Sequence, residues 1–77
     1  MRNRHANPSY AVVIEAGTRN YSAYAPDLPG CIVPGETVAE VTRLMRRAIE
    51  LHLAGLREDG LAVPAPRSAV TTIAVPA

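Results

Sequence analysis

The stretch TVAEVTRLMRRAIELHLAGLREDG, residues 37–60, reads as one amphipathic helix with both ends marked. Thr37 is an N-cap residue, and Glu40 three positions later completes a capping box, whose side chains satisfy backbone N–H groups that lack helical partners. Val38, Val41, Met45, Ala48, Ile49, His52, Leu53 and Leu56 recur at steps of three and four, the spacing of one helical face. Arg43, Arg46, Arg47, Glu50, Arg57 and Glu58 fall on the opposite side. Leu44 and Leu51 widen the apolar arc beyond what a single sheet covers, which predicts a second buried contact. Gly60 supplies the left-handed residue that closes a helix, with Leu61 placed for the hydrophobic contact that often follows.

Short extended segments surround this helix. From Ser9 to Ala16 the sequence SYAVVIEA places Tyr10, Val12 and Ile14 on one face and Ala11, Val13 and Glu15 on the other. Gly17 to Asn20 makes a hairpin connection, and Tyr21 to Ala25 is the returning strand. Pro26-Asp27-Leu28-Pro29-Gly30 then fixes a loop, because each proline locks its own φ and removes a donor. Cys31 to Val33 is a short third strand, blunted by Pro34 and Gly35 and so placed at a sheet edge. Beyond the helix, Ala62 to Pro66 is a stiff connector. Val70, Thr72 and Ala74 alternate with Thr71, Ile73 and Val75, predicting a fourth strand. The expected domain is α+β in the order β-β-β-α-β, a four-stranded sheet with one helix packed on it. A right-handed crossover would put the last strand beside the first, giving sheet order 3-2-1-4. Residues 1–8 are expected to be a flexible basic arm, and residues 9–77 a single domain.

At 77 residues the chain holds one domain. A chain so short buries only about 60% of its unfolded surface and is marginal unless something else supports it. The lone Cys31 has no internal disulfide partner, and His5 and His52 give no zinc-ligand spacing with it. Self-association is the remaining route, so a homodimer or larger homo-oligomer is expected. Val70, Thr72 and Ala74, with Leu51 on the adjoining helix flank, are the candidate interface, since Val70 to Val75 carries no proline or charge to guard an edge. Net charge is +1, with two of the eight arginines in the leader, which argues against a broad phosphate-binding surface. No stretch reaches the roughly 18 to 20 apolar residues that span a bilayer, and residues 1–8 lack the apolar core of a secretory signal. A cytoplasmic protein with a reduced cysteine and no membrane contact is the expectation.

The run Tyr21-Ser22-Ala23-Tyr24-Ala25-Pro26-Asp27-Leu28-Pro29-Gly30-Cys31, continued by Gly35-Glu36-Thr37, Asp59-Gly60-Leu61 and Pro64, resembles the signature of the HicB-like antitoxins. The likeness covers roughly residues 10–75, and its most specific part is the Pro-Asp-Leu-Pro-Gly-Cys loop followed by Gly-Glu-Thr at the helix start. It implies a partial RNase H-like fold and a protein that masks a small HicA-type mRNA-cleaving toxin in a type II toxin–antitoxin system. Many members carry a further C-terminal DNA-binding domain that has no counterpart in these 77 residues, so no DNA binding is expected. An orphan regulatory or RNA-binding role is the alternative.

Catalysis is not expected. Two-metal hydrolysis needs several converging carboxylates, whereas Glu15, Glu40 and Glu50 are scattered and residues 70–75 offer none. Cys31 enters a strand, where a small buried thiol is common, and His52 sits in the apolar arc, where a buried structural role is expected. Neither a metal nor another cofactor is expected. The candidate partner-binding residues are Tyr24, Asp27, Leu28, Arg43, Arg46 and Arg47. Asp27 either caps its own turn or faces a basic partner, and Leu28 either plugs the end of the sheet, the preferred reading, or anchors a partner. The arginine stripe is diluted by Glu50 and Glu58, as on most solvated helix faces.

Overall fold

A computed structural model describes residues 8–77 as β1 (Val13–Ala16), β2 (Tyr21–Tyr24), β3 (Ile32–Gly35) and α1 (Val38–Glu58). The strands form one antiparallel sheet in the order β1-β2-β3, and α1 lies across one face, over β3 and β2. The protein is therefore α+β, a single helix on a three-stranded antiparallel sheet among the described residues. The arm expected over residues 1–8 lies outside the described residues except for Pro8.

Register sorts the side chains. Ile14, Ala23 and Val33 form one cross-strand row, and Val13, Tyr24 and Ile32 form the next. Alternation turns the first row towards α1 and the second away from it. Beneath the helix the sheet offers small groups, Ala23, Ala25, Cys31 and Gly35, and these admit Val41 and Met45, both essentially fully buried. Gly35 matters most: a Cβ built there would lie 2.6 Å from Cγ1 of Val41, closer than two carbons can sit. The absent side chain is what lets the first turn of α1 descend onto β3.

Both helix ends behave as the sequence predicts. The Glu40 N–H donates to Oγ1 of Thr37 at 3.0 Å, and the Glu40 carboxylate accepts from the Glu36 N–H at 2.6 Å. The box thus closes one residue further back than its usual form. At the other end Gly60, at φ +69°, donates to the Arg57 carbonyl at 3.1 Å, and Leu61 donates to the Leu56 carbonyl at 2.9 Å. These are the paired bonds of a Schellman ending. Val41, Met45 and Leu53 are buried and Ala48, Ile49 and Leu56 pack beside them, whereas Val38 and Leu51 stay exposed. His52 is half-buried rather than enclosed.

The strands depart from expectation in instructive ways. Pairing on β1 begins at Val13 and not near Ser9, because its partner β2 ends at Tyr24 and the chain then enters the proline loop. Pro34 and Gly35 lie within β3 instead of ending it, as a sheet edge permits. The fourth strand expected over Val70–Val75 forms no ladder here. The sheet stops at β1, and residues 67–77 are exposed throughout. Residues 67 and 68, which lead into this segment, are held at Asp27.

Candidate functional site

The loop from Ala25 to Cys31 is two successive tight turns. Leu28 N–H donates to the Ala25 carbonyl at 3.0 Å, Cys31 N–H donates to the Leu28 carbonyl at 3.0 Å, and Ala25 N–H donates to the Cys31 carbonyl at 3.2 Å across the base. Each turn has proline at its second position, where a fixed φ near −65° is what the turn requires. Gly30, at φ +88°, takes the third position of the second turn, which demands a left-handed residue. The result points Leu28 inward, completely buried among Ala25, Cys31 and the helix residues. Leu28 is therefore the plug and not a surface anchor.

Asp27 is left at the rim with both carboxylate oxygens engaged. Oδ2 accepts from the backbone N–H groups of Arg67 and Ser68, each at 2.8 Å, and Oδ1 accepts from the Ser68 hydroxyl at 2.7 Å. It caps backbone donors of a segment 40 residues away, and not those of its own turn as expected. A second tie lies close by, where the Tyr10 hydroxyl donates to the Pro64 carbonyl. Together they lead the connector from the end of α1 past Tyr10 to the β2–β3 loop.

The backbone N–H of Arg67, then the hydroxyl and N–H of Ser68, hold the Asp27 carboxyl below its ordinary value near 3.8. A lowered value means that the ionised clamp supports the connector fully above the ordinary pKa. That support is lost as pH falls through the lowered one. The Arg67 and Ser68 amide resonances are expected to titrate with a midpoint below 3.8 and to lose that titration in Asp27→Ala. Two-dimensional NMR over about pH 2 to 6 checks this, and a midpoint at or above the ordinary value would contradict the clamp.

Among the described residues, two surfaces remain partly open. The sheet face turned away from α1 presents Val13, Tyr24 and Ile32 as a row, with Glu15, Ser22 and Pro34 as the next. Ile32 is 59% exposed, and Tyr24 and Val13 are half-buried. On the inner side, α1 covers β3 and β2 but leaves β1 beside an open cleft of about 620 Å³. Val12, Ile14, Met45, Ile49 and Leu53 form its apolar lining, and Arg46, Glu50 and Arg57 stand among its polar residues. Leu44 and Leu51, whose width on the helix predicted a second contact, are not in its lining, so no feature of the sequence pointed to this cleft.

The remaining candidates are dispersed. Arg43, Arg46 and Arg47 are exposed on α1, and Arg47 pairs with Glu50 at 3.6 Å. Leu51 is 57% exposed and lies outside the cleft lining. Burial pushes the Cys31 thiol up from its ordinary value, the opposite of what a nucleophile needs. Among the described residues no three His, Cys, Asp or Glu side chains are grouped to hold a metal ion, and no helix is long and apolar enough to cross a membrane.

Among the described residues the site offers a buried loop plug, two partly open apolar surfaces and a buried thiol on a small α+β domain. Comparison with known proteins gives that class a family. The family model described as the HicB-like antitoxin of bacterial toxin–antitoxin systems matches residues 10–77, and the chain belongs to that family. It is 38% identical over 58 residues to a UPF0150 protein of Helicobacter pylori strain J99, covering 75% of this chain and 81% of that protein. It is also 34% identical over 55 residues to an uncharacterized 14.9 kDa protein of the rep-hol intergenic region of Haemophilus phage HP1. That match covers 71% of this chain but only 41% of the phage protein, so the chain spans less than half of that relative. Membership suggests an antitoxin role that is not enzymatic, with a toxin as the general kind of partner.

Proposed function

We propose that this domain neutralises a small HicA-type mRNA-cleaving toxin by covering it, acting in the cytoplasm as the antitoxin of a type II pair. The observation that carries the reading is the outer sheet face, where Tyr24 and Ile32 form an apolar row beside the rigid Ala25–Cys31 loop. Solvated sheet faces ordinarily alternate to polar residues, whereas this row is apolar across all three strands. The loop next to it is preorganised by two prolines, so docking there orders little backbone. The family suggests a toxin as the occupant of such a surface. Under the same reading the β-β-β-α order belongs to a partial RNase H-like fold. RNA binding is less well supported, because Glu50 interrupts the arginines of α1 through its pair with Arg47.

The test is affinity for a small HicA-type toxin, sought first as the product of an adjacent small gene. Ile32→Asp, at an exposed position that leaves the core intact, is expected to weaken binding by about 100-fold, the effect of disrupting a central hot spot. Tyr24→Ala should act in the same direction. Titration calorimetry with matched circular dichroism spectra reads both, and unchanged affinity in the two variants would remove the outer face from the interface.

A further inference from the structure

Among the described residues, one C-terminal segment has no place on the chain's own sheet and one cleft has no occupant. Residues 69–77 contain no charge, and Val70, Thr71, Thr72, Ile73 and Val75 are β-branched, the composition of a strand. Ile73 is 78% exposed, Val75 76% and Val70 58%, although an isolated segment of this kind gains nothing from water. Its lead-in, Arg67 and Ser68, is fixed by three hydrogen bonds to Asp27 at the β2–β3 loop, on the side of β1 away from the free edge.

Of the two sheet edges, β3 contains Pro34, while β1 contains no proline and a single charge, Glu15. Among the described residues nothing pairs with the outer edge of β1, and this is the edge that borders the cleft. Unguarded edges accept strands.

We propose that the segment Val70–Val75 of one copy adds to the β1 edge of a second copy, and the reverse, in a strand-exchanged homodimer. Ile73 and Val75 share a face and enter the cleft over Val12, Ile14, Met45, Ile49 and Leu53. Val70, Thr72 and Ala74 turn to the other side. Each copy then receives in trans the fourth strand that its own tail does not supply, which explains why the pattern of residues 70–75 is strand-like without an intrachain partner. Isologous exchange closes as a dimer and leaves no apolar edge free. The inference stands apart from toxin binding, which uses the opposite face of the sheet.

Light scattering during size-exclusion chromatography of the full chain tests it. The wild type is expected to elute as a dimer at about 10 µM, with Ile73→Asp and a chain ending at Ser68 both monomeric and Ile73→Asp raising the dimer dissociation constant at least about 100-fold. Both changes leave the buried core untouched, and toxin affinity measured alongside should persist. Isotope-filtered NMR on a mixture of labelled and unlabelled chains should place Ile73 of one copy against Met45 of the other. Contacts within one copy, a wild-type monomer, or a dimer that survives both variants would overturn the proposal.

Discussion

Replacing Leu28 by alanine is expected to lower folding stability by about 2 to 5 kcal/mol, towards the upper part of that range. Leu28 is the largest of the fully buried side chains, in a core whose other members are mostly small. The cost of such a truncation depends on how far the surroundings collapse into the space left behind. Here they are held by two turns with proline at the second position, a bond from Ala25 to Cys31 across the base, and strands on either side. Small domains have roughly 5 to 15 kcal/mol in all, so the variant would be partly unfolded under mild conditions. Urea denaturation followed by circular dichroism measures the change. A loss under about 1 kcal/mol would mean that the loop repacks and that Leu28 is not the plug described.

The second large effect is a coupling. Gly35→Ala forces a methyl to within 2.6 Å of Cγ1 of Val41, whose side chain has no exposed surface into which it can move. Overpacking of this kind costs about 1 to 3 kcal/mol. Val41→Ala alone also destabilises, by leaving a gap. In the double variant the new methyl occupies part of that gap, so its cost should be smaller than the sum of the two by about 1 kcal/mol or more. Equilibrium unfolding of the four proteins completes the cycle. Simple additivity would show that helix and strand are not in the contact described.

How far these features could be read beforehand follows from the range of the interactions that make them. The helix was legible because its signals are local: Thr37 and Glu40 lie one turn apart, and Gly60 and Leu61 bond carbonyls three and five residues behind them. The proline loop was legible in shape for the same reason, including the inward turn of Leu28. Pairing was harder. Residues 70–75 have a strand's alternation, but alternation says nothing about which edge is free, and the Asp27 grip on residues 67 and 68 joins positions 40 apart. The family signature marked Asp27 and Leu28 as notable without separating their tasks, one a surface clamp and the other a core plug. The outer apolar row needed the register itself, since Val13, Tyr24 and Ile32 come together only once the strands are aligned.

That alignment also frames the functional reading. A sheet covered by a helix on one side leaves surfaces open to contact, and among the described residues no three His, Cys, Asp or Glu side chains are grouped to hold a metal ion. Family membership points the same way. RNA cleavage by a small HicA-type toxin, the proposed partner, assayed while the purified full chain is titrated in, reads the central claim without intermediaries. Cleavage should fall to background near one chain per toxin, and Ile32→Asp should shift the titration to much higher concentration. Cleavage that continues undiminished in an excess of folded chain would contradict it.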